Sequence, residues 1–571
     1  MLLTTILVCC TSKVSAQDEI IEHQGNKYII NVEKLNPDSE MTLLDVLHIC
    51  PEFISTDGKD ITANYLLSVD DIMLSVDNKP LLEGIKACDL SQVIVCNYAA
   101  VNNALEGTMG SIDLQFKEGS KELDGKISLS GSTYGNGKIY ADMTNTGENV
   151  TVRGFAQTSL YYGKVDALSD VTSITSRSTV ENAMVLVNWD LSERDVMRFK
   201  FQQGFSDIKS RTFSNENQYI WPTYERWGAL SAVYERTLND KDAVLYIEAD
   251  MSYSNISDET YKMRSAVPTL IAEFTVPFSD DLSMIAGWEM DYTNNWIIGL
   301  RREQLLNNDF YVQFDYNHGP WVFSLGDRFR INKFWNKILN TDDRSTWSYH
   351  RNEHALHASI GYRHQGHFVQ GTFSRSYINP LIEDFFYLGD DKPDIYQTEF
   401  KTNLAWRAEA RYNYQTSHTV LTSSLLHTWL TDMLLPNEYL TGLRTSATWH
   451  NGPVRLTVGA NFYHRHISST PELEAVYNNF YQLKLAPTWM IGKGFRLSSV
   501  LLYNSRQKNY YEQHPHLYAS IKVNKDLGRR CNVFANFHDI AGQPTGLTDD
   551  LLQSYKNRAL TIGLTYYPFR K

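Results

Sequence analysis

The chain has 571 residues, more than one ordinary globular core organises, so it holds more than one structural unit. Its formal net charge is −13, which argues against duplex nucleic acid as a partner, since that needs a basic face. Aromatics reach 12% while charged residues stop at 21%, a balance shared by large soluble β-proteins and by membrane barrels with aromatic girdles. Residues 2–10 form a short apolar run, and Val14-Ser15-Ala16 before Gln17 is a small-residue cleavage pattern. Residues 1–16 therefore read as a secretory signal peptide, without the basic n-region that usually opens one. Cys9 and Cys10 follow Val8, where a lipoprotein signal wants a small residue, so a lipid anchor is disfavoured. Beyond residue 16 no run reaches the roughly 18 apolar residues of a membrane helix. A mature chain that spans a membrane must then do so as a closed barrel, the one other fold that pairs every backbone group in lipid.

Residues 17–26 form a short extended segment. Residues 27–120 carry mixed α/β signals. Thr42 precedes an apolar helical stretch that Pro51 stops. Strand-like pieces fall at 66–69, 72–76 and 93–95, with a turn at Asp77-Asn78-Lys79-Pro80. Four cysteines remain after cleavage: Cys50, Cys88, Cys96 and Cys531. A Cys88–Cys96 disulfide is compatible with export but is not fixed by spacing, and no Cys/His set has zinc-site spacing.

From residue 121 to 571 short segments alternate apolar and polar with period two. Leu282, Met284, Ala286, Trp288 and Met290 share one face of one segment, and Ser283, Gly287, Glu289 and Asp291 the other. Further on, Trp406, Ala408, Ala410 and Tyr412 oppose Arg407, Glu409 and Arg411. Alternation alone does not separate a soluble sandwich from a membrane barrel, because the two simply exchange faces. The connections do separate them. Short ones at 190–195, 238–242, 317–320, 364–367, 450–453, 491–494 and 527–530 are rich in Asn, Gly and Asp. They alternate with longer ones near 162–179, 205–225, 293–307, 332–352, 376–401, 466–478 and 540–557. Short turns at one end and long loops at the other is the layout of an outer-membrane barrel. About 22 antiparallel transmembrane strands are expected, the last rich in aromatics at Tyr566, Tyr567 and Phe569. On the polar face, Glu289, Asp291, Arg407, Glu409 and Arg411 are expected to line the lumen. A barrel this wide needs filling, and the α/β unit at 27–120 is placed inside it as a plug. Pairing of the lumen charges with Asp70, Asp71 and Lys79 is one expectation; plain hydration is the other.

The sequence from Leu43 to Pro51, LLDVLHICP, resembles the helix of plug domains in TonB-dependent receptors. Asp57-Gly58 with Ile61 resembles the strand that follows it. Asp77, Lys79 and Pro80 sit in a stretch similar to that family's "V-DGKP-L" hairpin, with Asn78 replacing Gly. Gly107 and Gly110 stand in a segment similar to the plug's closing "GxxGxIxI". With the barrel, the resemblance covers nearly the whole mature chain and is to the shorter receptors of Bacteroidota. It implies an outer-membrane receptor of a Gram-negative bacterium. Such a receptor imports a scarce solute (an iron complex, cobalamin, a glycan or a peptide) with outer-membrane lipid around it, TonB-ExbB-ExbD as energy source and a surface lipoprotein as a further partner. No cofactor is implied. Asp18, Glu19, Ile20 and Ile21 resemble the TonB box, which pairs as a strand with TonB; an ordinary acidic lead into the plug is the competing reading. A plugged barrel acting as a structural subunit of an outer-membrane complex is the alternative function. No paired carboxylate, Ser/His or Asp/His arrangement has usable spacing, so no catalytic site is expected. The pairs His464/His466 and His514/His516 lie at the outer ends of predicted strands or in loops and read as solvated histidines, with metal or haem binding as the lesser reading.

Overall fold

In the computed structural model of the chain, residues 20–569 are described except 25–26, 36–40, 54–64, 70–71, 74–84, 97–109, 118–122, 134, 166–173, 215–216, 239–242, 258–261, 299–300, 339–345, 379–402, 432–436, 470–474, 493, 509–511, 514 and 542–557. The signal-peptide reading, Asp18, Glu19, Asp57, Asp70, Asp71, Asp77, Lys79, Pro80, Gly107 and His514 fall outside the described residues.

The first unit is a six-stranded sheet of β1 (Ile21–Gln24), β2 (Lys27–Asn31), β3 (Tyr65–Val69), β4 (Ile72–Met73), β5 (Leu90–Cys96) and β6 (Gly110–Phe116). Its order is β1-β2-β5-β6-β3-β4, antiparallel except for the β3–β6 pair. The expected helix is a short turn, α1 (Leu43–Leu47). Thr42 caps it: its hydroxyl accepts from the Asp45 amide, and Asp45 accepts from the Thr42 amide in return. A 3-10 turn at Pro51–Phe53 follows. Ile30, Val32, Met41, Val46, Leu47, Val93, Val95 and Ile112 form its core, each essentially inaccessible to solvent. The same cluster includes Tyr140, Phe155, Met184, Leu186, Val233 and Val420, which belong to the strands described next. The cysteines at 50, 88, 96 and 531 are free thiols; the Cys88–Cys96 bridge that export allowed is not made.

The second unit is a closed antiparallel barrel of 22 strands. They are β7 (Asp124–Ser132), β8 (Gly137–Thr146), β9 (Val150–Val165), β10 (Ile174–Asp190), β11 (Asp195–Ser214), β12 (Asn217–Thr237), β13 (Val244–Ser257), β14 (Lys262–Pro277), β15 (Leu282–Ile297), β16 (Arg301–His318), β17 (Trp321–Ile338), β18 (Thr346–His364), β19 (His367–Ile378), β20 (Asn403–Gln415), β21 (Thr419–Thr431), β22 (Glu438–Asn451), β23 (Val454–Ile467), β24 (Val476–Met490) and β25 (Phe495–Asn504). A small hairpin, β26 (Gln507–Lys508) and β27 (Glu512–Gln513), precedes the last three, β28 (His516–Leu527), β29 (Cys531–His538) and β30 (Ala559–Tyr566). The barrel closes where β30 pairs with β7, Leu564 opposite Leu129.

The faces are inverted relative to a soluble protein. Outward positions are apolar and open: Leu325 is 63% exposed, Ile562 59% and Leu230 56%. The largest fully buried side chains include Arg328, Arg330 and Lys200. Apolar side chains turned out and guanidiniums turned in is the pattern of a sheet whose outer solvent is lipid. No helix among the described residues is long and apolar enough to cross a membrane. The short turns at 317–320, 364–367, 450–453, 491–494 and 527–530 use positive φ, as at Gly452 (φ 54°) and Gly366 (φ 79°), the latter preceded by Gln365 at 45°, whereas the turn at 190–195 does not.

One expectation is corrected. Among the described residues the connections expected at 162–179, 205–225, 293–307 and 332–352 are largely strand, while 379–401, 470–474 and 542–557 lie outside the described residues. The stretch around 205–225 belongs to β11 and β12, which pair as far as Ser214 opposite Asn217. Residues 293–307 and 332–338 likewise continue β15, β16 and β17. The strands run on past the lipid band. There both faces meet water, so the apolar/polar alternation fades while backbone pairing persists.

The lipid-facing assignment predicts that Phe201→Arg, on the outward face of β11 and 55% exposed, destabilises the barrel by about 2–4 kcal/mol. Urea titration of the protein folded into lipid vesicles measures it.

Candidate functional site: where the inner sheet docks on the lumen wall

Three groups of contacts hold the first unit against the barrel wall. The largest centres on Glu52, in the 3-10 turn after α1. Glu52 forms an ion pair with Arg411 of β20 and lies 3.8 Å from Arg444 of β22. Glu409 stands between the guanidiniums, 2.6 Å from Arg407, 3.0 Å from Arg411 and 3.0 Å from Arg444. Arg411 also lies over the Tyr28 ring, 5.2 Å from its centroid. Two backbone carbonyls of the same turn are received by the wall. Ser446 donates to His48 O at 2.9 Å and Asn461 donates to Pro51 O at 3.2 Å. Period two explains the convergence: Arg407, Glu409 and Arg411 are alternate residues of one strand, so all three project inward, and Arg444 enters from two strands away.

The second group surrounds α1. Asp45 is held below the ordinary carboxylate range: burial works to raise it, but Arg455, the Thr42 amide and Lys484 outweigh burial. His48 is pulled well below the ordinary histidine value by burial and by Lys484, against the pull of Asp45. It is therefore neutral when docked. Cys50 beside it is pushed up to about 11, chiefly by burial and against the Tyr28 hydrogen bond and Arg411, so it is an inert thiol. The third group joins Asp89 to Lys126 of β7, which also lies 3.1 Å from Asp142. Burial raises Asp89 but Lys126 and the Lys86 amide more than offset it, leaving its carboxyl below the ordinary range. Arg153 of β9 closes this side, 3.8 Å above the Phe116 ring.

The residues singled out from sequence divide between this surface and another. Arg407, Glu409 and Arg411 meet here. Glu289 and Asp291 do not; they lie in a network within the wall itself. Arg328 contacts Glu289 at 2.8 Å and, through Nε, Asp309 at 2.7 Å. Arg330 bonds Asp309 at 2.6 and 2.7 Å and lies 4.0 Å from Asp291, while Asn307 donates to Asp291 at 2.9 Å. Gly110 opens β6, parallel to β3 at Tyr65. Ile20 and Ile21 are not part of a free tail. Both are buried, Ile21 pairs with Ile30, and its backbone N–H and C=O are both bonded by the Gln415 side chain, at 3.0 and 2.7 Å. Sequence reasoning missed Glu52, Asp45, Asp89, Lys126 and Arg444. The one readable signal was the acid directly after Pro51.

His464 and His466 lie on the outward face of β23 at its outer end, the first of the two placements expected from sequence. His464 is 2.8 Å from Asn479, and His466 stacks between Tyr477 and Tyr439, at 4.4 and 5.5 Å. With Trp429 beside Tyr439 at 5.9 Å they form part of an aromatic girdle. Among the described residues no group of His, Cys, Asp and Glu is arranged to hold a metal.

No protein-family model matches the chain, and no curated protein matches it in sequence. Solved structures do match in fold. The ferric-catecholate import receptor Fiu of E. coli K12, in its closed form, superposes with a TM-score of 0.71 at 11% identity, over 97% of this chain and 99% of that one. The siderophore receptor PiuA of Acinetobacter baumannii gives 0.70 at 10%, over 98% and 99%. The copper transporter OprC gives 0.72 at 9%, over 97% and 100%. The chain has the fold of these outer-membrane receptors, and its apolar outer face is that of a barrel surrounded by lipid.

Two outcomes follow from the docking geometry. Glu52→Ala leaves three guanidiniums to one buried carboxylate and is expected to weaken docking by about 3–5 kcal/mol, read as faster hydrogen exchange across residues 41–53. His48 supplies the pH dependence. Its docked form resists a proton that the released turn accepts, so docking weakens as pH falls below about 6.5, by up to about 1.4 kcal/mol per unit. Asp45 and Asp89, both lowered, keep their contribution until pH falls below about 4. Exchange of residues 41–53 should therefore quicken from pH 7 to 5, and His48→Gln should flatten that change.

Proposed function

We propose that this chain is a TonB-dependent outer-membrane importer whose N-terminal sheet is the gate. The observation that carries the reading is the seat of Ile20–Ile21. The residues that resemble a TonB box lead directly into β1, an edge strand of the plug sheet, and Gln415 of the barrel wall clasps its first residue. A pull from the periplasm would act on the open end of the β1–β2 hairpin. It would part Ile21 from Ile30 first, then Glu22 from Ile29, His23 from Tyr28 and Gln24 from Lys27. Breaking pairs one at a time needs far less force than shearing the sheet at once. TonB-ExbB-ExbD is the source of that pull in this proposal, and the imported solute is a metal-bearing complex. The comparison proteins are described as ferric-catecholate, siderophore and copper receptors or transporters, which supports that class. Cobalamin, a glycan or a peptide delivered by a surface lipoprotein completes the set to be tested.

The decisive experiment deletes residues 18–22 and follows accumulation of labelled ferric siderophores, copper, cobalamin, glycans and peptides in intact cells. The expected result is uptake of one class that a protonophore abolishes and the deletion abolishes equally, with surface-exposed barrel unchanged. Uptake that persists in the deletion removes the energised reading. A wild-type chain that accumulates nothing and co-purifies with a stoichiometric membrane partner points instead to a structural subunit.

A further inference from the structure

Asp327 stands at a place where a membrane barrel has reason to carry no charge. Along the outward face of β17, from the short-turn end, the side chains run Trp321, Phe323, Leu325, Asp327, Phe329, Ile331 and Lys333. The carboxylate thus falls in the middle of the apolar band. Its carboxyl is 40% exposed, flanked outward by Phe314 and Phe310 of β16 and by Leu356 of β18, which are 42, 50 and 40% exposed. It is not isolated. His354 of β18, 52% exposed, places Nδ1 3.0 Å from Asp327 Oδ2 and its ring against Phe329 at 4.8 Å. Arg375 of β19 donates to the His354 backbone carbonyl, pairs with Glu353 at 3.1 Å and covers the Trp406 ring at 5.4 Å. The sheet also changes here. Among the described residues the β18–β19 ladder stops at Leu356 opposite Arg375, while the β17–β18 ladder continues to Lys337 opposite Thr346. Across the barrel, the outward faces of β29, β30 and β7 at this depth carry Phe537, Ile562, Leu564, Ile127 and Leu129.

An acid, an imidazole and a guanidinium at mid-depth are costly against hydrocarbon and mark a functional surface. We propose that the outward face of β17–β19 is a contact surface for a second copy of this chain in the plane of the membrane. Copies in one membrane share one orientation, so a closed pair has its two-fold axis along the membrane normal and each residue meets the other copy at its own depth. A patch with an acid and a base side by side is complementary to itself under that rotation. Asp327 of one copy comes opposite His354 of the other, and the reverse pair forms at the same time. Leu325, Phe310, Leu356 and Phe373 form an apolar rim that shuts lipid away from both pairs.

The test uses the full-length protein in native membranes. Leu325→Cys with a bifunctional thiol reagent should give a covalent dimer; unsubstituted protein and Leu564→Cys, on the far side of the barrel, should not. Native mass spectrometry from lipid nanodiscs should show the doubled mass, and Asp327→Leu, a residue lipid accepts, should cut that fraction about tenfold because a two-fold contact loses each pair twice. Equal cross-linking at both faces, a monomer under every condition, or an adduct only with a protein of another mass would each overturn the proposal. Heat-dependent mobility on gels confirms that each variant barrel is folded.

Discussion

Every backbone amide that enters lipid must find its partner inside the protein, and this one constraint shapes the rest of the molecule. It forces the sheet to close, here by β30 on β7. Closure at 22 strands leaves a lumen too wide for wall side chains alone to fill. Something folded must occupy it, and the six-stranded sheet does so by sharing its apolar core with barrel residues such as Phe155 and Leu186. The inner unit is thus part of the barrel's own packing, not cargo held in a finished tube.

The same constraint explains why the wall is lined with charge. With apolar residues committed to lipid, the alternate positions are left for polar ones, and those must be satisfied among themselves or by the plug. Both solutions occur. Arg328, Arg330, Asp309 and Glu289 satisfy one another and hold neighbouring strands in register. Arg411 and Arg444 share Glu409 but look to Glu52 for the rest. The first network belongs to a wall that stays put. The second is divided between two bodies, so it is the one that can open.

The barrel was legible because period-two alternation repeats many times and short turns, most of them carrying Asn, Gly or Asp, mark every second connection. Leu282, Met284 and Trp288 could be placed from their spacing alone. Strand length was not legible, since the part of β11 beyond the lipid loses the very alternation that announces a strand. The docking surface was half legible. Arg407, Glu409 and Arg411 share a face by arithmetic, but their partner, Glu52, lies more than three hundred residues away, and period two says nothing across that distance. His464 and His466 were left between strand end and loop for the first reason, because they sit where β23 leaves the lipid and the pattern fades. Asp327 was readable in principle: once Trp321, Phe323 and Leu325 are taken as a lipid face, the next alternate residue breaks it.

A gate needs attachments that hold firmly and release together. The contacts around Glu52 have that property because of where they are. Buried, a carboxylate among guanidiniums is strongly held, since little water competes for it. Once the turn moves enough to admit water, the same charges are rehydrated and their mutual attraction falls several-fold. Loss of one contact therefore weakens the next. The carbonyls of His48 and Pro51, held by Ser446 and Asn461, add bonds that water replaces at little net cost. The docking surface is in this sense two-state. It is stable while dry, and in the importer proposed above a pull on β1 at the sheet's edge is where wetting would begin.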